Sequence, residues 1–292
     1  MKKYLFVFTV LLLAVSCKEE KPVIDVQAHR GGAGLWPENT IVAMQNAIDL
    51  GVNTLEFDLQ LSQDGQVVVS HDNYFHPRYA TRPDGSLIQE EDPREYLYTM
   101  PYDSIAKYDV GLRPVDRWPG QLKVAAVKPL ASDLIDFTES YAKKPMRYNI
   151  EIKSWPGVGE GLLWPRYVTF CDTCIPLLLS KNLGDRLIVQ CFDTRSLEYI
   201  HHKWPEVTLS FLTEPEEGTD VEAIMSKLSF LPRWWSPESS EVTPENVAWC
   251  HEHGIGVVPW TVDDPAEMQR MVDCGAEAII SNYPDVLIKV VR

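Results

Sequence analysis

Residues 54–72 read TLEFDLQLSQDGQVVVSHD. Leu55, Phe57, Leu59 and Leu61 alternate with Thr54, Glu56, Asp58 and Gln60, the period of a strand with two unlike faces. Asp64-Gly65 then separates this run from QVVV at 66–69, which is a β-hairpin signal. A two-residue loop at Asp64-Gly65 pairs Gln63 with Gln66, Leu61 with Val68 and Asp58 with His71. Residues directly opposed in a ladder share a face, and Glu56, two before Asp58, shares it too. Two carboxylates and an imidazole are therefore expected to converge near the end of one strand. A slip of one residue would send His71 to the other face.

Further strand-like runs lie outward from this hairpin, at 24–28, 147–152, 187–191, 207–211, about 230–235, 256–260 and 278–281. Helical patterns fill the gaps at 38–50, 131–143, 164–182, 195–203, 219–228, 244–253, 264–273 and 284–291. Thr243-Pro244-Glu245 and Asp264-Pro265 are helix-start signals, and Gly51 and Gly275 stand just past helix ends. Eight strand–helix units in residues 23–292 are the arithmetic of an α/β (β/α)8 TIM barrel. A doubly wound open sheet is the alternative, because periodicity does not report closure. The repeat is broken once, between the second and third strands. Residues 73–126 are rich in Tyr, Pro and charge, with a helical pattern only at 103–109. The aromatic content, including Tyr74, Phe75, Tyr79 and Trp118, points to an ordered insertion over one barrel mouth rather than a linker.

In such a barrel the C-terminal strand ends gather on one rim, where active sites lie. His29 and Arg30 end the first strand, within AHRGGAGLWPENT at 28–40. Glu56 and Asp58 end the second, and Glu151 and Lys153 alternate around Ile152 at the end of the third. Neighbouring strands are about 4.8 Å apart, so three carboxylates are expected to crowd and to resist joint ionisation. A divalent cation relieves that repulsion, and an all-oxygen ligand set of Glu56, Asp58 and Glu151 suits Mg²⁺ or Ca²⁺. The glycines at 31, 32 and 34 would let backbone approach an anion closely. Trp260, at a strand end, is placed to form an apolar wall for substrate.

The whole chain has 292 residues and a formal net charge of −15. That acidity argues against nucleic acid as a partner, since binding polyphosphate requires surplus Lys and Arg; a small phosphodiester needs only local positive charge. Residues 1–16 have a basic start at Lys2-Lys3 and an apolar run from Tyr4 to Val15, too short to span a bilayer. They read as a secretory signal and resemble a bacterial lipoprotein signal, with cleavage before a lipid-modified Cys17. Ala14 stands where that pattern usually has Leu, and a plain cleaved signal is the alternative. Residues 17–22 are then a tether, and the expected location is the bacterial cell envelope, held to the membrane by an N-terminal lipid anchor. Cys171 and Cys174 lack the partners of a zinc site and read as a local disulfide or two buried thiols on one helix.

HRG with PENT, then E-x-D, the DG hairpin, HD and E-x-K resemble the glycerophosphodiester phosphodiesterases, and the likeness continues through Trp260-Thr261-Val262 and Asn282-Tyr-Pro-Asp285. The resemblance implies a (β/α)8 barrel that hydrolyses glycerophosphodiesters to an alcohol and sn-glycerol 3-phosphate. It implies metal ligation by Glu56, Asp58 and Glu151, an acid–base pair in His29 and His71, and phosphate contacts from Arg30 and Lys153. The chemistry calls for these residue types: cations offset the diester's charge, and two imidazoles can move the two protons near neutral pH. His29 is taken as base and His71 as acid, with either the glycerol 2-hydroxyl or water as attacker. Asn282 departs from the family, where Asp is expected. The alternatives are a phospholipase of related barrel type acting on intact lipids, and a lipid-anchored binding protein without turnover.

Overall fold

The computed structural model describes residues 23–215 and 220–292. The expected signal at 1–16 and the tether at 17–22, with Cys17, lie outside the described residues. The strands are β1 (Asp25–Ala28), β2 (Thr54–Leu61), β3 (Val67–Val69), β4 (Arg147–Ile152), β5 (Leu187–Cys191), β6 (Thr208–Thr213), β7 (Trp234–Pro237), β8 (Gly256–Val257) and β9 (Ala278–Ser281). The helices between them are α1 (Ile41–Leu50), α2 (Tyr102–Ile105), α3 (Ala131–Tyr141), α4 (Tyr167–Ser180), α5 (Thr194–Lys203), α6 (Val221–Met225), α7 (Pro244–Glu252), α8 (Pro265–Cys274) and α9 (Pro284–Val291).

Eight of these strands pair in parallel in the order β8-β7-β6-β5-β4-β2-β1-β9, while β3 pairs antiparallel with β2 outside this path. Parallel neighbours need a crossover, and the helices supply it. The result is a nearly closed barrel rather than an open sheet. At its seam, Glu277 N donates to Val257 O at 3.2 Å, Ile280 N to Pro259 O at 3.0 Å and Val262 N to Ile280 O at 3.0 Å. Pro259 offers no N–H, so β8 ends at Val257, short of the expected 260. β7 starts at Trp234, beyond Pro232, rather than at 230.

The outward residues of the strands pack under the helices. Leu55, Phe57 and Leu59 of β2 and Tyr148, Ile150 and Ile152 of β4 join Phe170, Cys174 and Leu178 of α4 in the main apolar core. Cys171 and Cys174 are two buried free thiols, the second of the two expected states. The inward residues differ around the barrel. Asn149 Nδ2 donates to Gln27 Oε1 at 2.9 Å and to Gln190 Oε1 at 3.0 Å, and Gln190 Nε2 donates to Glu56 Oε1 at 2.9 Å. Across the interior, Val258, Ala278 and Ile280 form a small apolar cluster with Trp234 and Trp260.

The hairpin register is one residue from that expected. Leu59 faces Val69, Gln60 faces Val68 and Leu61 faces Val67. The loop has three residues, Gln63-Asp64-Gly65, with Gly65 at φ +77°, and Ser62 N donates to Gln66 O at 3.0 Å. Ser62 causes the difference: its hydroxyl donates to Asp64 Oδ1 at 2.5 Å and accepts from Gln66 N at 2.9 Å. A three-residue loop ending in a left-handed glycine is the other common hairpin closure. Asp58 therefore opposes Ser70, whose N–H donates to Asp58 O at 2.9 Å, and does not oppose His71.

The insertion is ordered and has its own core. Phe75, Ala80, Ile88, Leu97, Ile105, Tyr108 and Val110 cluster with Val68 of β3. Phe75 and Tyr108 stack at 3.8 Å. Its helix spans only 102–105, against the expected 103–109. Among the described residues, no helix is long and apolar enough to cross a membrane.

Candidate active site

β1 delivers His29 and Arg30 into a single tight turn, and Arg30 adopts φ +53°. A side chain rarely accepts that left-handed backbone. Here it aims the Arg30 N–H at Glu56 Oε2, 2.7 Å away. PENT then wires the turn to β2. Glu38 takes Arg30 Nη1 at 2.8 Å. Asn39 Nδ2 donates to Asp58 Oδ2 at 2.8 Å, and the Thr40 hydroxyl caps α1 by accepting from Ala43 N, a contact typically worth about 1 kcal/mol. The glycines serve packing rather than an anion. A Cβ on Gly31 would lie 2.7 Å from the Ala43 Cβ, and one on Gly34 would lie 2.5 Å from the Tyr283 ring. Neither lines the cavity.

Parallel pairing of β2 with β4 sets Asp58 directly beside Glu151. Glu56, Asp58 and Glu151 are all buried and offer three oxygens within 4.8 Å of one another. Burial and the Asp58 charge push the Glu56 carboxyl well up, against the Arg30 N–H. Burial, reinforced by Asp58 and opposed by Lys153, pushes Glu151 up to about 7. Asp58 goes the other way: burial opposes its charge, but Lys153, His71 and Arg30 outweigh it and hold the carboxyl far down. Lys153 Nζ lies 2.8 Å from Glu151 Oε1 and 3.4 Å from Asp58 Oδ1. Arg30 Nε lies 3.5 Å from Asp58 Oδ2. Asp58 Oδ1 is buried without a hydrogen-bond partner.

His29 and His71 both line one cavity of about 230 Å³, together with Arg30, Glu56, Glu151 and Lys153. His29 Nδ1 meets Asn282 Oδ1 at 2.6 Å, and Asn282 Nδ2 donates to Asp263 Oδ2 at 2.8 Å. The Asp263 carboxylate requires the amide NH₂ on its side, so Asn282 turns its oxygen to His29. His29 then carries its proton on Nδ1 and keeps Nε2 as an acceptor. Burial and Arg30 hold its pKa well below 6.5. The Asn found in place of the family's Asp therefore does not lose the contact to His29, and the charge sits one residue further back.

His71 reaches the cavity despite the shifted register. β3 ends at Val69, whose N–H bonds to Pro129 O, and the last cross-strand bond is Ser70 N–H to Asp58 O. The Ser70 hydroxyl then donates to the Asp72 main-chain oxygen at 2.6 Å, and Gln60 Nε2 holds His71 O at 3.1 Å. This bend, not strand pairing, turns the imidazole inward. Its Nδ1 lies 3.0 Å from Asp72 Oδ1. Burial, Arg30 and Lys153 lower its pKa, with Asp58 and Asp72 opposing.

Trp260 lines the cavity, donates Nε1–H to Ser236 O at 2.9 Å and meets Phe192 edge-on at 5.3 Å. His29, Arg30, Glu56, His71, Glu151, Lys153 and Trp260 thus all reach this one cavity, and Asp58 lies at its buried edge. As site residues the reading missed Glu38, Asp263, Lys128, Phe192, Gln190, Glu214, and Arg117 and Trp118 from the insertion. Only Glu38 and Gln190 had a usable signal, the first inside PENT and the second as a polar residue in an otherwise apolar strand.

A barrel rim bearing buried acids, cations and two imidazoles suits the hydrolysis of phosphoric diesters. A family model for glycerophosphoryl diester phosphodiesterases matches residues 29–286, and the chain belongs to that family. A glycerophosphodiester phosphodiesterase from Caldanaerobacter subterraneus subsp. tengcongensis is 28% identical over 273 residues, covering 91% of this chain and 97% of the relative. A crystal structure from Silicibacter pomeroyi DSS-3, assigned to the same family, matches with a TM-score of 0.82 at 25% identity, covering 93% of this chain and 94% of that one. An Oleispira antarctica phosphodiesterase, solved with the product sn-glycerol-3-phosphate, matches with a TM-score of 0.72 at 22% identity, covering 92% of this chain and 97% of that one. That last likeness is one of fold. The chain is accordingly an enzyme of the phosphoric diester hydrolase class, acting on small glycerophosphodiesters.

Proposed function

We propose that the enzyme splits a glycerophosphodiester into an alcohol and sn-glycerol 3-phosphate, using one divalent cation and two histidines. The carrying observation is the cluster of Glu56, Asp58 and Glu151 at the cavity, with Asp58 Oδ1 buried and unsatisfied. With Glu38, four carboxylates there face two cations, Arg30 and Lys153. The excess of carboxyls over cations and the all-oxygen donor set fit Mg²⁺ or Ca²⁺. Such an ion, when bound, supplies positive charge against the phosphoryl oxygens.

Arg30 and Lys153 add fixed charge on the same oxygens. His29, neutral and protonated on Nδ1, takes a proton at Nε2 from the attacking hydroxyl, whether the glycerol 2-hydroxyl or water. His71, as the imidazolium held at Nδ1–H by Asp72, gives its Nε2 proton to the departing alcohol oxygen and is left neutral. Trp260 and Trp118 wall the cavity, and the Oleispira antarctica phosphodiesterase, solved with the product sn-glycerol-3-phosphate, supports glycerol phosphate as a product here. Chelation should abolish turnover, and Mg²⁺ or Ca²⁺ should restore it. Full activity in excess chelator by a metal-free preparation would exclude the cation.

We also infer lipid attachment at Cys17 and residence in the bacterial cell envelope. Support comes from Lys2-Lys3, the apolar run and Ser16-Cys17. Mass spectrometry of the mature protein should find a diacylated Cys17, lost in Cys17→Ser. An unmodified N-terminus elsewhere would overturn this.

A further inference from the structure

One buried contact of the insertion with the catalytic rim lies behind His71. Asp72 accepts the His71 Nδ1–H at Oδ1, and its Oδ2 accepts the Tyr79 hydroxyl at 3.0 Å. Lys128, where the chain returns from the insertion, is only 4% exposed. Its Nζ donates to Ser70 Oγ at 2.7 Å and reaches Tyr79 Oη at 3.5 Å. Ser70 Oγ passes its own proton to the Asp72 main-chain oxygen. Two routes thus run from Lys128 to Asp72, one through each hydroxyl.

An ammonium in this place is unexpected on packing grounds. It lies 5.7 Å from the Phe75 ring centre and 5.2 Å from that of Tyr79, and among the described residues it forms no ion pair. A methionine would fill the space without the desolvation cost. The charged groups that face it are Asp72, Glu38 and Asp58, which attract it, and Arg30, which repels it; Asp72 has the strongest hold. A charge so placed has a use if Asp72 must stay ionised and fixed in orientation.

We propose that Tyr79 and Lys128 are positioning residues for His71, acting through Asp72. They hold the carboxylate so that Oδ1 takes Nδ1–H, which leaves His71 Nε2 to serve the leaving alcohol. His71 acts as the imidazolium, with Nδ1–H on Asp72 and Nε2–H on the leaving oxygen. As the attacking oxygen bonds to phosphorus and the P–O bond breaks, the alcohol oxygen takes the Nε2 proton and His71 is left neutral with its Nδ1–H. The proposal rests on His71 being the general acid, and it gives residues 73–126 a part in the chemistry.

The test compares Tyr79→Phe and Lys128→Met on glycerophosphoethanolamine, an alkyl ester, and on bis(p-nitrophenyl) phosphate, whose aryl alcohol leaves with little protonation. On the alkyl ester, kcat should fall about 10-fold, the scale of one hydrogen bond to a charged group, with KM nearly unchanged. The aryl ester should be spared. Asp72→Ala should show the same pattern, and adding Tyr79→Phe to it should cost nothing more, as for residues acting in one line. Tyr79→Phe removes a single oxygen and keeps the question open to measurement should Lys128→Met fold poorly. Equal losses on both esters, losses that add to those of Asp72→Ala, or no loss in Tyr79→Phe would overturn the wiring. His71→Ala is the reference. If it loses only the alkyl reaction while Tyr79→Phe loses nothing, the wiring falls alone. If it damages both esters alike, the acid role falls, and the wiring with it.

Discussion

Gln27, Asn149, Gln190 and Glu56 form a continuous chain of side-chain hydrogen bonds across one side of the barrel interior. Around the rest of the barrel, on the β7, β8 and β9 side that begins next to Gln27, Trp234, Val258, Ala278 and Ile280 fill the interior with hydrocarbon. The two sides also differ in backbone. β2 and β4 pair over six consecutive residues, Thr54 to Leu59 against Arg147 to Ile152, whereas β7 and β8 pair over two. The β2–β4 ladder is the one that carries the adjacent carboxylates Asp58 and Glu151. Buried carboxylates repel, and only a backbone held in register over several residues keeps Asp58 beside Glu151. The apolar side needs no such precision, because burial of hydrocarbon is not directional. It supplies a dry wall that strengthens the electrostatics facing it.

The comparison is broken most directly at the histidines. His29→Ala should lower kcat/KM by about 10²–10⁴-fold on alkyl and aryl esters alike, with a melting temperature close to that of the parent. Ile280→Ala on the apolar side should do the reverse, costing about 2–5 kcal/mol of stability while kcat/KM falls far less. A loss of activity equal to that of His29→Ala would end the division between the two sides. Gln190→Leu should be intermediate: it strips partners from Asn149 and Glu56, at about 1–3 kcal/mol for each buried polar group left unsatisfied, read by chemical denaturation.

The pH profile tests the electrostatics. His29 must be neutral to accept a proton, and burial with Arg30 lowers its pKa. The acid limb of kcat/KM should therefore lie below pH 6.5, with the base competent above it; a limb assigned to His29 above 6.5 would contradict this environment. The smallest effect belongs to Trp260→Phe, which loses only the bond to Ser236 O, about 0.5–1.5 kcal/mol.

Local periodicity carried much of this. The alternation in β2 identified which residues turn inward, since side chains in a strand change face at every step. The strand–helix repeat then placed His29, Glu56, Asp58, Glu151 and Lys153 on one rim, where the structure has them. Alternation does not encode how a hairpin closes. Ser62 made the loop three residues instead of two, so Asp58 opposed Ser70, and His71 came to the cavity by a bend after Val69. The glycines of residues 31–34 read as room for an anion, yet their neighbours are Ala43 and Tyr283, contacts made across the fold. Asp263 and Lys128 left no trace in any period, because each acts on a residue far away in sequence. The sequence by itself determined which side chains face inward at the strand ends, through the fixed geometry of the pleat. The tertiary structure alone decided which of them touch, and so where each buried charge and proton resides.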